Sequence, residues 1–392
     1  MYLDRHFSKV LVFMFAVALA ACMGYCANVF SSKVCETACH PNVSCTAEAR
    51  RIPTSQKLNS VVAKEQQSPT RPRSSLCQLR LNILLGGNVQ NVPSSFCVDS
   101  RRGPDQAREN LVATLVQSQD RFNKLAFGST LFGEFDVNWF LDPSQYPGQM
   151  SSSKFVAVFG PNFLAGDEEN QNPARFPDVF HVAPSRWAAE AWLQRGWKRV
   201  IGFVPTPVNA SCWKRTKKKD PNHCVYYEKR VGERDFEASD CQVKKAKEWM
   251  ERTGFKCERF VYGSYTIEDF RNALETASFG LVVDGTETQG YAIQQMMMMN
   301  VPLFFLLRSA NQFHKVAPYA DQTVGSWGTC DSPLKDFQNF LSIRSWLTPR
   351  TYAVQTVGAK AVMDKLEHVF CELKGEMQKR NLVEFVMFNS TS

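Results

Sequence analysis

The 392-residue sequence predicts an α/β protein: two Rossmann-like domains with parallel sheets, preceded by an N-terminal membrane helix and a flexible stem. Three observations lead there. From residue 79 onward, short apolar runs alternate with helix-period segments, the pattern of strands joined by crossover helices. A polar, highly charged break at about residues 209–223 divides that alternation in two. Ahead of both lies an uncharged apolar stretch, Val10 to Ala27, followed by a segment rich in Ser, Thr, Pro, Gln and Lys.

The elements follow in order. Residues 1–9, with Arg5 and Lys9, are expected to be a cytosolic tail, and 10–30 a signal anchor; Ala18-Leu19-Ala20 offers cleavage as the alternative. Both routes lead into the secretory pathway, so the expectation is a single-pass type II protein of the Golgi or endoplasmic reticulum membrane with a lumenal body. Residues 31–75 cannot bury enough surface to offset chain entropy and read as the stem. Thirteen cysteines fit that compartment. Setting aside Cys22 and Cys26 in the apolar stretch leaves an odd number, so at least one is free or pairs with another chain; the oligomeric state stays open. Zinc is disfavoured because no Cys-x-x-Cys occurs and Cys35, Cys39 and His40 lack a matching distant pair. Sequons at Asn42, Asn209 and Asn389 agree with a lumenal location.

The first domain spans 76–205. Leu79 to Leu85 reads as a buried strand running into Gly86-Gly87, and 105–126 as a helix through Leu111, Leu115, Phe122 and Leu125. Val137–Leu141, Phe155–Phe159 and Val179–Ala183 are strands, the last leading through Pro184-Ser185 into a Trp-rich helix. The second domain spans 206–348. Cys224–Tyr227 is a strand, Asp240 to Arg252 a helix stopped by Gly254, and Phe260–Tyr262 a strand. Thr266 and Asp269 have capping-box spacing for the next helix. Phe279–Val283 and Val301–Leu307 are further strands. Thr348-Pro349 opens a closing helix over 349–380, with 381–392 a tail.

Composition narrows the function. Net charge is +8, but Lys214, Arg215, Lys217, Lys218 and Lys219 form one run without interleaved aromatics, so a solvated interdomain loop is expected rather than a nucleic-acid partner. Met296 to Met299 face every direction of a helix and read as packing, not metal ligands. Glu134 and Asp136 are carboxylates without a placed substrate. A carboxylate and a glycine, Glu287 and Gly290, stand between a buried strand and a helix N-terminus. Free N–H groups and the positive end of the helix dipole favour phosphate there, and the carboxylate can accept hydrogen bonds from sugar hydroxyls.

Residues 260–307, with Tyr262-Gly263-Ser264 and Asp284-Gly-Thr-Glu287-Thr288-Gln289-Gly290, resemble the donor-binding half of group 1 retaining glycosyltransferases of the GT-B architecture. The resemblance extends back through Val182–Trp187 and Phe203-Val204-Pro205 to Tyr227–Arg230, and covers the first domain only in outline. It implies two facing domains, a nucleotide-sugar donor on the second and a glycan or glycoconjugate acceptor on the first. It implies Glu287 at the donor sugar, Lys229 or Arg230 at the diphosphate, and Tyr262, Gly263 and Ser264 near the nucleobase. Thr288, Gln289 and Gly290 would form the helix tip at the phosphates. The family's second glutamate is Gln295 here, which keeps hydrogen bonding to a ribose diol but loses its charge. Pro207 and Asn209 replace the family's glycine and aspartate at the hinge. No Asp-x-Asp clamp occurs, so no obligatory metal is expected and no tightly bound cofactor beyond the nucleotide-sugar co-substrate. Two other classes remain open: a catalytically degenerate scaffold keeping the fold, and a two-domain solute-binding protein.

Overall fold

The computed structural model describes residues 77–85, 103–141, 156–161, 179–229 and 238–389. The expected membrane helix, the stem, Gly86-Gly87 and Arg230 lie outside the described residues. Among those described, no helix is long and apolar enough to cross a membrane.

The first half contains β1 (Arg80–Leu84), α1 (Gly103–Gln117), β2 (Lys124–Phe127), β3 (Val137–Phe140), β4 (Ala157–Phe159), β5 (Phe180–Ala183), α2 (Arg186–Gln194) and β6 (Val200–Phe203). Its described strands form a parallel sheet in the order β2-β1-β3-β4-β5-β6. The second half contains β7 (His223–Glu228), α3 (Asp240–Thr253), β8 (Lys256–Val261), α4 (Ile267–Thr276) and β9 (Phe279–Val283). It continues with α5 (Tyr291–Met298), β10 (Leu303–Leu307), α6 (Phe313–Val316), β11 (Gly325–Thr329) and α7 (Leu334–Ile343). Its sheet is also parallel, in the order β11-β10-β9-β7-β8. Both belong to the compact unit Arg73–Ser392.

Local chemistry explains the elements. Every residue of β9 and β10 is buried, as parallel strands covered on both faces require. Ser239 and Gln242 form a reciprocal capping box at the start of α3, and Gly254 ends that helix at φ 71°, a left-handed conformation that glycine adopts without a Cβ clash. At α4 the Thr266 hydroxyl accepts from the Asp269 amide at 3.0 Å. Met296 to Met299 are all fully buried in the core shared by α5 and the sheet.

Three expectations need correction. The helix expected over 105–126 ends at Gln117, where the Ser118 amide turns back onto the Thr114 and Leu115 carbonyls. Leu125 instead lies in β2, in register with Leu81 of β1; its apolar character suited either period. The closing helix is two, α8 (Pro349–Val357) and α9 (Ala359–Asn389), broken at Gly358, where a Cβ would stand 2.4 Å from the Val354 carbonyl oxygen. The second of these runs on through most of the segment read as a tail.

The basic run is not simply solvated. Lys214, Lys217 and Lys218 are exposed, but Arg215 donates to the Leu274 and Ala277 carbonyls, both at 3.0 Å.

Helix α9 returns to the first half. Val362, Met363, Leu366, Phe370 and Leu373 are buried in one core with Leu81, Ile83, Leu111 and Trp139. The Phe370 and Trp139 rings meet edge-on at 5.1 Å. A disulfide, Cys77–Cys371, joins the chain entering β1 to α9. Two others, Cys224–Cys257 and Cys241–Cys330, lie in the second half.

Candidate active site

Strand register assembles the site. Glu228 pairs with both Val261 and Val283, and Val283 with Leu306, so β7, β8, β9 and β10 end at one level. The residues that follow, Lys229, Tyr262 and Asp284, therefore stand side by side at the carboxyl edge of the sheet. Gln242 braces that edge from α3: its side-chain amide donates to the Asp284 carbonyl at 3.1 Å and also to the Leu306 carbonyl.

At the centre is a buried ion pair. Lys229 Nζ lies 2.9 Å from Glu287 Oε2 and donates to the Thr286 carbonyl at 3.1 Å. Its ammonium sits 5.5 Å from the centroid of the Tyr262 ring. Burial alone would lower the Lys229 pKa, but the Glu287 and Asp284 carboxylates outweigh it and hold the group above the ordinary lysine value. Asp284 is fully buried, and neither of its carboxyl oxygens has a hydrogen-bond partner in good geometry. Burial, opposed by Lys229 and reinforced by Glu287, pushes its pKa well above the carboxylate range. Asp284 and Glu287 thus flank one lysine, which is ion-paired with Glu287.

Glu287 also lies where the halves meet. Its backbone carbonyl accepts from the Trp187 indole of α2 at 2.8 Å, and its amide donates to the Lys315 carbonyl of α6 at 2.7 Å. Gln289 accepts from the Thr206 amide at 3.2 Å, tying the loop to the hinge. Gly290 caps α5 at φ 65°, and Thr288 is half-buried beside it. Gly263 and Ser264 form an exposed turn after β8, with the Ser264 amide donating to the Val261 carbonyl.

Gln295 stands apart from this group. Its side chain is buried and donates to the Gln106 side chain of α1 at 2.8 Å, across the seam. One turn along α1, Asn110 donates to the Tyr291 hydroxyl at 2.7 Å, and that hydroxyl donates to the Pro207 carbonyl. The structure thus gathers Lys229, Tyr262, Glu287 and the helix tip, while Gln295 faces the opposite half.

Asp284, Trp187, Gln106 and Asn110 complete the site without having been singled out as site residues. Asp284 and Trp187 lay within the motifs that carried the resemblance. Gln106 and Asn110 had no local signal, since their partners are 189 and 181 residues away. Glu134 and Asp136 are engaged elsewhere: Glu134 pairs with Lys124, and Asp136 with Arg80 at 2.9 Å and Lys374 at 3.0 Å. Asn209, half-exposed, accepts from the Ser211 and Cys212 amides in a tight turn.

No family model and no curated protein matches the chain. Among solved structures, it is similar to AviGT4, a glycosyltransferase involved in Avilamycin A biosynthesis, at 12% identity over 76% of this chain and 98% of that one, with a TM-score of 0.46. The apo form of the lipopolysaccharide outer core galactosyltransferase WaaB gives 11% identity over 75% and 99%, with a TM-score of 0.47. Alr3699/HepE from Anabaena, in complex with UDP-glucose, gives 11% over 74% and 99%, with a TM-score of 0.42.

Proposed function

We propose that the chain is a glycosyltransferase of the GT-B type that moves a sugar from a nucleotide-sugar donor to a glycan or glycoconjugate acceptor, with retention, in the lumen of the Golgi or endoplasmic reticulum. The observation that carries this reading is the Lys229–Glu287 pair, buried at the carboxyl edge of one parallel sheet and in contact with the other half through Trp187. A buried cation beside a helix N-terminus suits a diphosphate, and a neighbouring carboxylate suits sugar hydroxyls.

In this reading Lys229 exchanges Glu287 for the donor diphosphate, stabilising the charge that develops on the leaving group. Glu287, released from the lysine, accepts hydrogen bonds from the transferred sugar. Tyr262 lies beneath the lysine, where the nucleotide enters. The acceptor binds against the first half, and closure of the seam excludes water that would hydrolyse the donor. The membrane anchor, the lumenal location and the domain roles belong to the same proposal; disulfides support an oxidising compartment.

The purified chain should turn over one member of a nucleotide-sugar panel, and Glu287→Gln should lower that rate about a hundredfold or more. Unchanged turnover in Glu287→Gln would remove the assignment. The second reading, a binding or scaffold protein that keeps the fold, is favoured by Gln295, whose amide is already used on Gln106. It predicts that calorimetry finds no nucleotide-sugar bound.

A further inference from the structure

We propose that the amino edge of the second sheet, opposite Glu287, is a docking surface for an anionic lipid bilayer, formed by the basic run 214–219 together with Arg344, Ile343 and Trp346. Nothing in the glycosyl-transfer chemistry requires this surface; the proposal stands apart from that chemistry and from the lumenal location, and requires anionic lipid on the leaflet that the body faces.

The fold brings two sequence-distant segments together there. Arg215 is fastened to the carbonyls of Leu274 and Ala277, and the Asp220 amide donates to the Thr276 carbonyl at 2.8 Å, so the basic run crosses the turn between α4 and β9. The Arg344 guanidinium reaches the same place from the end of α7, lying 5.9 Å from the ring of Phe279, the first residue of β9, and 5.6 Å from that of Phe255. Lys219 is pushed down to about 8 by burial and then by the charges of Arg215 and Arg344, as expected where cations are held close to one another. The carboxylate of Glu275 is occupied by the Thr216 and Lys217 amides, at 2.7 and 3.1 Å, and that of Asp220 by the Asn222 amide. These acids shape the loop and offset only part of its charge.

Beside the cations stands exposed apolar surface. Trp346 is 83% exposed and Ile343, one turn away, 46%. Their neighbours Leu341 and Leu347 pack against the core, which holds the tryptophan and isoleucine outward. A tryptophan and a branched aliphatic flanking Arg344, which lies close enough to act on Lys219, have the composition of an interfacial membrane contact: the indole sits at headgroup depth and the cations meet anionic lipid. A polyanionic nucleic acid would use the lysines and could stack on the indole, but it has no use for the exposed isoleucine. Docking by this edge would leave the Glu287 edge turned away from the bilayer.

The test is amide hydrogen exchange on the full-length chain with vesicles of phosphatidylcholine alone and with added phosphatidylserine. The expected result is slowed exchange in both 214–219 and 343–347 with phosphatidylserine only, weakening at high salt. Each lysine near an anionic surface is worth about a fivefold change in attachment. Lys217→Glu with Lys218→Glu should therefore abolish protection in both segments, while the core strands 223–228 and 279–283 keep wild-type exchange. Trp346→Ser should weaken the protection at 214–219 without altering those strands. Equal exchange on the two vesicle types, protection of one segment alone, or the same protection from soluble single-stranded RNA would each overturn the proposal.

Discussion

The two halves share a parallel layout but bury different polar groups. The first sheet and its flanking helices bury neutral ones: Asn82 donates to Asn138 at 3.0 Å, and Gln106, Asn110 and His181 are likewise uncharged. Its buried Glu367 comes from the returning α9 and pairs with Arg121. The second half buries Glu228, Lys229, Asp284 and Glu287 at one sheet edge. Buried charge is costly unless paired, so a cluster of this kind is poor stability engineering and good ligand chemistry. Under the proposed function the charged ligand would bind the second half, with amides facing it from the first.

The largest way to break this contrast is Lys229→Met. It leaves Glu287 buried next to Asp284 with its cation removed and should cost about 3–5 kcal/mol in urea unfolding. A much smaller loss would mean that the pair is solvated and the ionic edge is not sealed.

Titration separates the halves with opposite signs. Asp284 has a folded pKa raised above its unfolded value, so the folded state binds the extra proton and stability declines as pH rises above the ordinary carboxylate range. Asp284→Asn should gain on wild type over that window, by at most about 1.4 kcal/mol per pH unit. His181, caged by the rings of Phe159, Trp192 and Trp197, is lowered by burial to about 4. Its contribution is present above the unfolded value of about 6.5 and is lost as pH falls toward 4, about 3 kcal/mol in all. His181→Phe should unfold with less acid sensitivity than wild type; equal sensitivity would show that the imidazole is not held neutral.

The smallest effect concerns the seam itself. A double-mutant cycle of Gln106→Ala and Gln295→Ala should give a coupling of about 1 kcal/mol, as expected for a neutral amide pair. A coupling near zero would mean that the two amides are bridged to other groups instead.

The strands were readable because buried parallel strands are apolar throughout, as at 279–283 and 303–307. The helix from 267 was readable because Thr266 and Asp269 announce its cap. Leu125 was misread because one leucine fits a helix stripe and a strand equally well. At the site, Glu287 and Lys229 were legible from motif order. The raised pKa of Asp284 was not, because a residue's burial depends on the β7 and β10 neighbours that close over it. The hydrogen bond of Gln295 to Gln106 across the seam was not legible, because nothing near Gln295 in sequence names that partner.

The central claim is most directly tested by calorimetric titration of a nucleotide-sugar panel into wild-type protein and Glu287→Gln, each first shown to be folded by amide exchange. One nucleotide-sugar should bind wild type, and the substitution should weaken it about tenfold or more. Binding of none of them, or binding indifferent to Glu287, would contradict the account.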